Sequence, residues 1–236
     1  MSKVVRRGYI DTDEKDFSRK SLYKLHEASK DLYYLLNQGY KTKGASTFVG
    51  NHYLLSERQR LALTRAISSK ESIENRRIKE IKNNLQNSTI HIDGFNTIIT
   101  LEVALSNSLL IKSMDGTYRD LAGLRGTYRI IDKTEMSIKL LGEMLESYKI
   151  KKVIFYLDAP VSNSGNLKIK ILEILNNFSF EVEVENINNV DSTLEKLDYV
   201  VSSDSIILDK CKSWINLNKK IIEEKIDDKF YIDFTL

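Results

Sequence analysis

Residues 90–96, Ile90-His91-Ile92-Asp93-Gly94-Phe95-Asn96, form an apolar run that ends in an acid, a glycine and an asparagine. Their counterpart lies late in the chain at 199–204, Tyr199-Val200-Val201-Ser202-Ser203-Asp204, a second apolar run ending in an acid. Both read as strands. Two parallel strands that each deliver a carboxylate at their C-terminal ends place oxygen ligands where open α/β sheets bind their ligands. Hard divalent cations such as Mg²⁺ take oxygen ligands, which carboxylates supply.

Between and after these two runs, strand and helix alternate. Apolar runs at 153–157 and 180–184 read as further strands, with a weaker one at 229–232. Helical patterns fill 137–148, 167–176, 192–196 and 206–217. Such alternation predicts an α/β domain over residues 89–236, a parallel sheet with helices on both faces. The span 101–132 reads as a short hairpin or irregular loops.

Residues 1–88 read differently. Phe17, Leu22, Leu25, Ala28, Leu32, Leu35 and Leu36 recur at helical spacing, which predicts a helix over 13–37 with Gly39 at its C-terminal cap. A loop is expected at 41–47. Ser56 and Gln59 have the spacing of a capping box and open a second helix, and a third, polar helix is expected over 72–85. This basic helical domain carries 18 Lys and Arg against 10 Asp and Glu, whereas residues 89–236 carry 18 against 23. A basic module joined to an acidic one suits a protein that holds a polyanion with one part and cations with the other. Lysines that only solubilise helix faces would give the same balance.

Other classes find little support. Of 236 residues 42% are hydrophobic and 29% charged, an ordinary globular balance. No run approaches the ~20 apolar residues of a membrane span, and the first residues lack an apolar signal core, so no membrane association and a cytoplasmic location are expected. The single cysteine, Cys211, excludes an internal disulfide and is expected to be a small buried hydrophobe. His26, His52 and His91 do not have metal-ligand spacing and are expected to be structural. Neither a phosphate-loop motif nor a Gly-x-Ser-x-Gly elbow occurs.

The acids carry the chemistry. Asp93 and Asp204 end strands, Asp158 ends the strand at 153–157, and Asp191 stands at a helix start. Carboxylates converging on one edge repel each other unless a cation sits among them. Each acid alone is equally suited to capping the helix that follows it. Glu102, on the helix after Asp93, is a candidate further metal ligand, and Asn96 could orient Asp93 or cap that helix. Ser162-Asn163-Ser164-Gly165 lies between a strand and a helix, where hydroxyls and free N–H groups suit a phosphate. Arg119, Arg125 and Arg129, interleaved with Tyr118 and Tyr128, could clamp phosphates and stack on bases.

Asp93-Gly94-Phe95-Asn96, then Asn189-Val190-Asp191, then Val200-Val201-Ser202-Ser203-Asp204 resemble the motifs of the NYN branch of the PIN-like nuclease superfamily. The likeness covers roughly residues 89–210. It implies a metal-dependent endoribonuclease in which Asp93, Asp191 and Asp204 hold Mg²⁺ or Mn²⁺, with RNA as partner, Asp158 assisting and Ser203 beside the substrate. Asn189 stands where that family often has Gly, and Ile206 where it has a second Asp. A likeness over nearly the whole chain is to an uncharacterised prokaryotic family of unknown function that pairs a helical N-terminal domain with a PIN-like one. It shares Asp115-Gly116, Arg119-Asp120, Gly126-x-Tyr128-Arg129 and Asp158-Ala159-Pro160 through Gly165. The rival expectation is a non-catalytic module that binds RNA or a nucleotide. Assembly as a homo-oligomer is left open.

Overall fold

The computed structural model describes residues 5–123 and 126–235. Its N-terminal third is helical, with α1 (Asp13–Asp16), α2 (Arg19–Asn37), α3 (Thr42–His52), α4 (Glu57–Ala66) and α5 (Lys70–Lys79). The helix expected over 13–37 is thus two, broken at Phe17 and Ser18. α2 ends as its sequence predicts. Gly39 takes φ +83°, its N–H donates to the Leu36 carbonyl at 3.1 Å, and the Tyr40 N–H reaches back to Leu35 at 3.2 Å. That is a Schellman cap, and Gly is the residue that enters it without strain. The capping box of α4 also forms, Ser56 and Gln59 satisfying each other's backbone N–H groups. The loop expected at 41–47 is instead the start of α3, which buries Ala45 and Val49 against α2 and α4.

The rest of the chain alternates: β1 (Thr89–Asp93), α6 (Gly94–Leu105), β2 (Leu110–Lys112), β3 (Tyr118–Asp120), α7 (Asp132–Ser147), β4 (Lys152–Asp158) and α8 (Ser164–Leu175). There follow β5 (Glu181–Ile187), α9 (Val190–Leu194), β6 (Val200–Val201), α10 (Ser205–Lys210), α11 (Leu217–Lys225) and β7 (Tyr231–Asp233). The main sheet is parallel, in the order β5-β4-β1-β6. Its side chains alternate between two cores. Val153, Phe155 and Leu157 of β4 join Ile90 and Ile92 beneath α6, α7, α8 and α11, while Ile154 and Tyr156 pack with Val190, Leu194, Ile207 and Trp214 on the α9 and α10 face. Helices therefore cover both faces, as parallel strands require.

Two departures from the sequence reading matter. The weak strand near 229–232 does not extend the main sheet. It is β7, which pairs with β2 in a second, three-stranded sheet ordered β3-β2-β7. The helix expected over 206–217 is interrupted, because residues 213–215 are extended. Val200 N–H donates to Ser213, Trp214 N–H to Lys79, and Ile81 N–H to Trp214, so this segment links β6 to the end of α5.

The apolar faces of the N-terminal helices do not close on themselves. Their core runs from Phe17, Leu25, Leu32 and Leu63 into Leu109, Ile111, Met114, Leu121, Ile232 and Phe234 of the second sheet and its loops. The boundary at 88 and 89 is where helices give way to β1, but the core crosses it.

Candidate functional site

Strand order singles out one position on the sheet. From β1 the chain moves to β4 and β5 on one side and then returns to β6 on the other. The switch point lies between β1 and β6, and in open α/β sheets ligands bind in the crevice outside the C-terminal ends at such a point. Asp93 ends β1 there, and Ser202, Ser203 and Asp204 follow β6.

These residues are tied together across the switch. The Ser202 hydroxyl donates to Asp93 Oδ2 at 2.8 Å and accepts the Asp204 N–H at 3.0 Å. Asn96 Oδ1 accepts from both the N–H and the hydroxyl of Ser203, at 2.8 and 2.9 Å. Asp204 caps α10, its Oδ1 accepting the Ile206 N–H at 2.7 Å. Capping and a place in the site are therefore not alternatives for this acid. Gly94 follows Asp93 for a reason of space rather than of backbone conformation. A Cβ there would lie 2.5 Å from Leu157 Cδ2 and 3.0 Å from the Tyr156 carbonyl oxygen.

Electrostatics link the other acids to this pair. Burial pushes the Asp93 carboxyl up to about 7, against the Ser202 hydrogen bond that lowers it, and the charges of Asp204 and Asp191 push the same way as burial. Asp191, at the surface on α9, is raised by what burial it has and by Asp204 and Glu195. Asp158, half-buried at the end of β4, is raised by burial and by Asp191. The four acids thus feel one another. Asp158 and Asp191 also border a cleft of about 550 Å³ with Asn188, Asn189 and Glu195.

The fit to a divalent cation is of donor type and charge. Among the described residues no group of three or more His, Cys, Asp or Glu side chains is gathered tightly enough to hold a metal ion. Mg²⁺ commonly keeps several waters and takes only one or two carboxylates from the protein. Asp93 and Asp204 at the switch point supply that many.

Other expected site residues lie elsewhere. Glu102 is fully buried and committed to Arg7 Nε at 2.8 Å, the Tyr128 hydroxyl at 2.6 Å and the Thr134 hydroxyl. It is a structural acid, not a fourth ligand beside Asp93. Arg119 is turned inward, bonded to Asp115 Oδ2 at 2.6 Å and to the Arg65 carbonyl, so it does not clamp phosphates. Arg129 is exposed. Arg125 lies outside the described residues. The 162–165 loop is knitted to its neighbours: the Ser162 N–H donates to Gly126, Asn163 Nδ2 to the Tyr128 carbonyl at 2.7 Å, and Asn186 to Ser164 Oγ at 3.2 Å. Asn163 adopts φ +63° there.

Sequence reasoning passed over two groups. Ser202, which holds both Asp93 and Asp204, stood inside the 199–204 run but drew no attention beside the acids. Arg76, buried on α5, pairs with Asp115 at 2.6 Å and with both oxygens of Asp209 on α10 at 2.7 and 3.0 Å. It secures the helix that Asp204 opens, and its partners, 39 and 133 residues away, leave no local signal.

Fold and site together define an α/β chain with a helical N-terminal region and an acidic switch-point edge. The chain belongs to a family described as a domain of unknown function, DUF5616, whose model matches residues 82–220, and residues 24–79 match a second model described as a protein of unknown function, DUF434. It is 41% identical over 186 residues to an uncharacterized protein of Methanocaldococcus jannaschii, covering 78% of this chain and 88% of that one. No solved structure matches it. Among the described residues no helix is long and apolar enough to cross a membrane.

Proposed function

We propose that residues 89–236 are a PIN-like, NYN-type domain and that the chain is a Mg²⁺- or Mn²⁺-dependent ribonuclease, hydrolysing phosphodiester bonds at the acids of the switch point. The observation that carries the reading is Asp93. It is a buried strand-end carboxyl pushed up to about 7 by burial and by Asp204 and Asp191, which is the environment a cation relieves. Asp93 and Asp204 would hold the cation, with Asp191 and Asp158 bordering the cleft beside it. Bound there, a divalent cation supplies Lewis-acid charge for the phosphate and a more acidic water. The chain's own part is positioning. Ser202 fixes the Asp93 carboxylate, Asn96 fixes the backbone of Ser203, and the pair of Arg76 with Asp209 holds α10 so that Asp204 keeps its place.

The test is cleavage of labelled RNA in Mn²⁺ by purified Asp93→Asn and Asp204→Asn chains. Each should lose at least about a hundredfold in rate, the scale on which such electrostatic groups act, with an unchanged circular dichroism spectrum. Undiminished cleavage by both rejects the assignment. A second reading, a non-catalytic module that binds RNA or a nucleotide, is favoured by the spread of the acids, no three of which converge among the described residues. Titration calorimetry separates the two. Mn²⁺ uptake lost in Asp93→Asn supports the nuclease, and RNA retention with no Mn²⁺ uptake supports the binding module.

A further inference from the structure

A groove of about 410 Å³ separates the helical N-terminal region from α10, and nothing described so far uses it. Tyr40 and Thr42 line one wall, Ser69 and Ser72 a second, and Ser205 and Ile206 a third. Ser205 directly follows Asp204, so the groove abuts the acidic edge. Arg76 and Asp209 also border it, and the hydrogen bonds of Arg76 to Asp209 and Asp115 leave that part of the lining without net cationic charge. What remains for a ligand is hydroxyl groups, an exposed aromatic ring and an exposed aliphatic side chain. Tyr40 is 61% exposed and Ile206 55%. Lys41, Lys43 and Lys70, all exposed, flank these lining residues in sequence.

We propose that this groove carries single-stranded RNA away from the acidic edge, one base lying over Tyr40 and Ile206 and its phosphate meeting the hydroxyls, with Lys41 and Lys43 at the rim. The proposal rests on the ribonuclease reading of the neighbouring acids and names the form of RNA they would receive. Three chemistries agree on it. Aromatic stacking accepts any base, because every base has a π-face. Hydroxyls donate to phosphate oxygens and 2′-hydroxyls alike. Lysines beside such a surface neutralise backbone phosphates without reading sequence. The volume suits a nucleotide unit and lies in the range of ligand pockets, too narrow for a duplex. The same groups would also suit a free mononucleotide, so the experiment separates the two sources.

The measurement is fluorescence anisotropy of a labelled RNA decamer with the full chain in EDTA, where binding is read without cleavage. Tyr40→Ala and Ile206→Asp should each weaken binding about tenfold, the scale of one lost base stack. The Lys41→Ala/Lys43→Ala double variant should lower the slope of log Kd against log salt by about 1. A duplex of the same sequence should bind at least about tenfold more weakly, and AMP should compete only at far higher concentration. These side chains are exposed, and thermal melting checks that the variants fold. Variants that bind like the parent, a duplex that binds as well as the single strand, or AMP competing as well as the decamer would each overturn the proposal. A chain that binds as described yet cleaves nothing with Mn²⁺ overturns the nuclease reading and leaves the groove standing.

Discussion

Asp93 sets the pH response of this fold. Its carboxyl titrates at about 7 in the folded chain because burial, then Asp204 and Asp191, disfavour the charge. In the unfolded chain the same group releases its proton near its ordinary value of 3.8. Between those two values the native state binds more protons than the unfolded state, so stability falls as pH rises. The contribution is fully present below about 4 and is lost by about 7, a change on the order of a few kcal/mol. Asp158 and Asp191 are raised as well and act in the same direction. Urea midpoints taken without divalent ions should therefore fall from pH 4.5 to pH 8 (values chosen as roughly bracketing the window), and Asp93→Asn should flatten most of that fall. Mn²⁺ should restore stability at the upper end by favouring the ionised carboxylate. A midpoint insensitive to pH in the parent chain, or an equal fall in Asp93→Asn, would remove Asp93 from this role.

At the scale of elements, legibility followed how local the cause was. β1 and β4 could be read because the chain itself carries a buried strand's apolar run, and the cap of α2 because Gly39 lies next to the helix it ends. Gly94 was legible as a glycine but not for its reason. Its hydrogen faces Leu157, an unpredictable neighbour from β4. The break in the helix expected at 206–217 was invisible, because residues 213–215 become extended only by pairing with residues 79–81, more than 130 positions away. α3 was hidden by its composition: Gly44, Ser46 and Thr47 read as a loop, while the burial of Ala45 and Val49 depends on α2 and α4. For the site, strand-end acids could be read, whereas the inward commitments of Glu102 and Arg119 required distant partners. Gly94→Ala tests the close approach of α6 to β4. The added methyl collides with Leu157 and the Tyr156 carbonyl oxygen, so a loss of about 1–3 kcal/mol is expected from denaturant midpoints, with the slope unchanged. A variant as stable as the parent would mean that α6 shifts freely, and Asp93 with it.

At the scale of the whole molecule, the helical region is part of the structure that holds the acidic edge. Arg58 on α4 binds Asp13 Oδ1 at 2.8 Å and the carbonyl oxygen of Leu121, just past β3, at 2.6 Å. Met114 N–H reaches the Ala66 carbonyl at 3.0 Å, and the apolar core passes from α2 and α4 into the second sheet without a seam. Trp214 is the one tryptophan of the chain, 1% exposed, and its indole N–H donates to the Arg76 carbonyl at 2.7 Å. It therefore reports on the junction between α5 and β6, next to the switch point. A core shared this way predicts cooperative unfolding, since neither part can leave without exposing the apolar surface of the other. In urea, Trp214 fluorescence and far-ultraviolet circular dichroism should trace one coincident transition, with equal midpoints and slopes. If the helical region melts first while Trp214 stays buried, the two parts are independent, and the α5 clamp on α10 is not needed to hold Asp204.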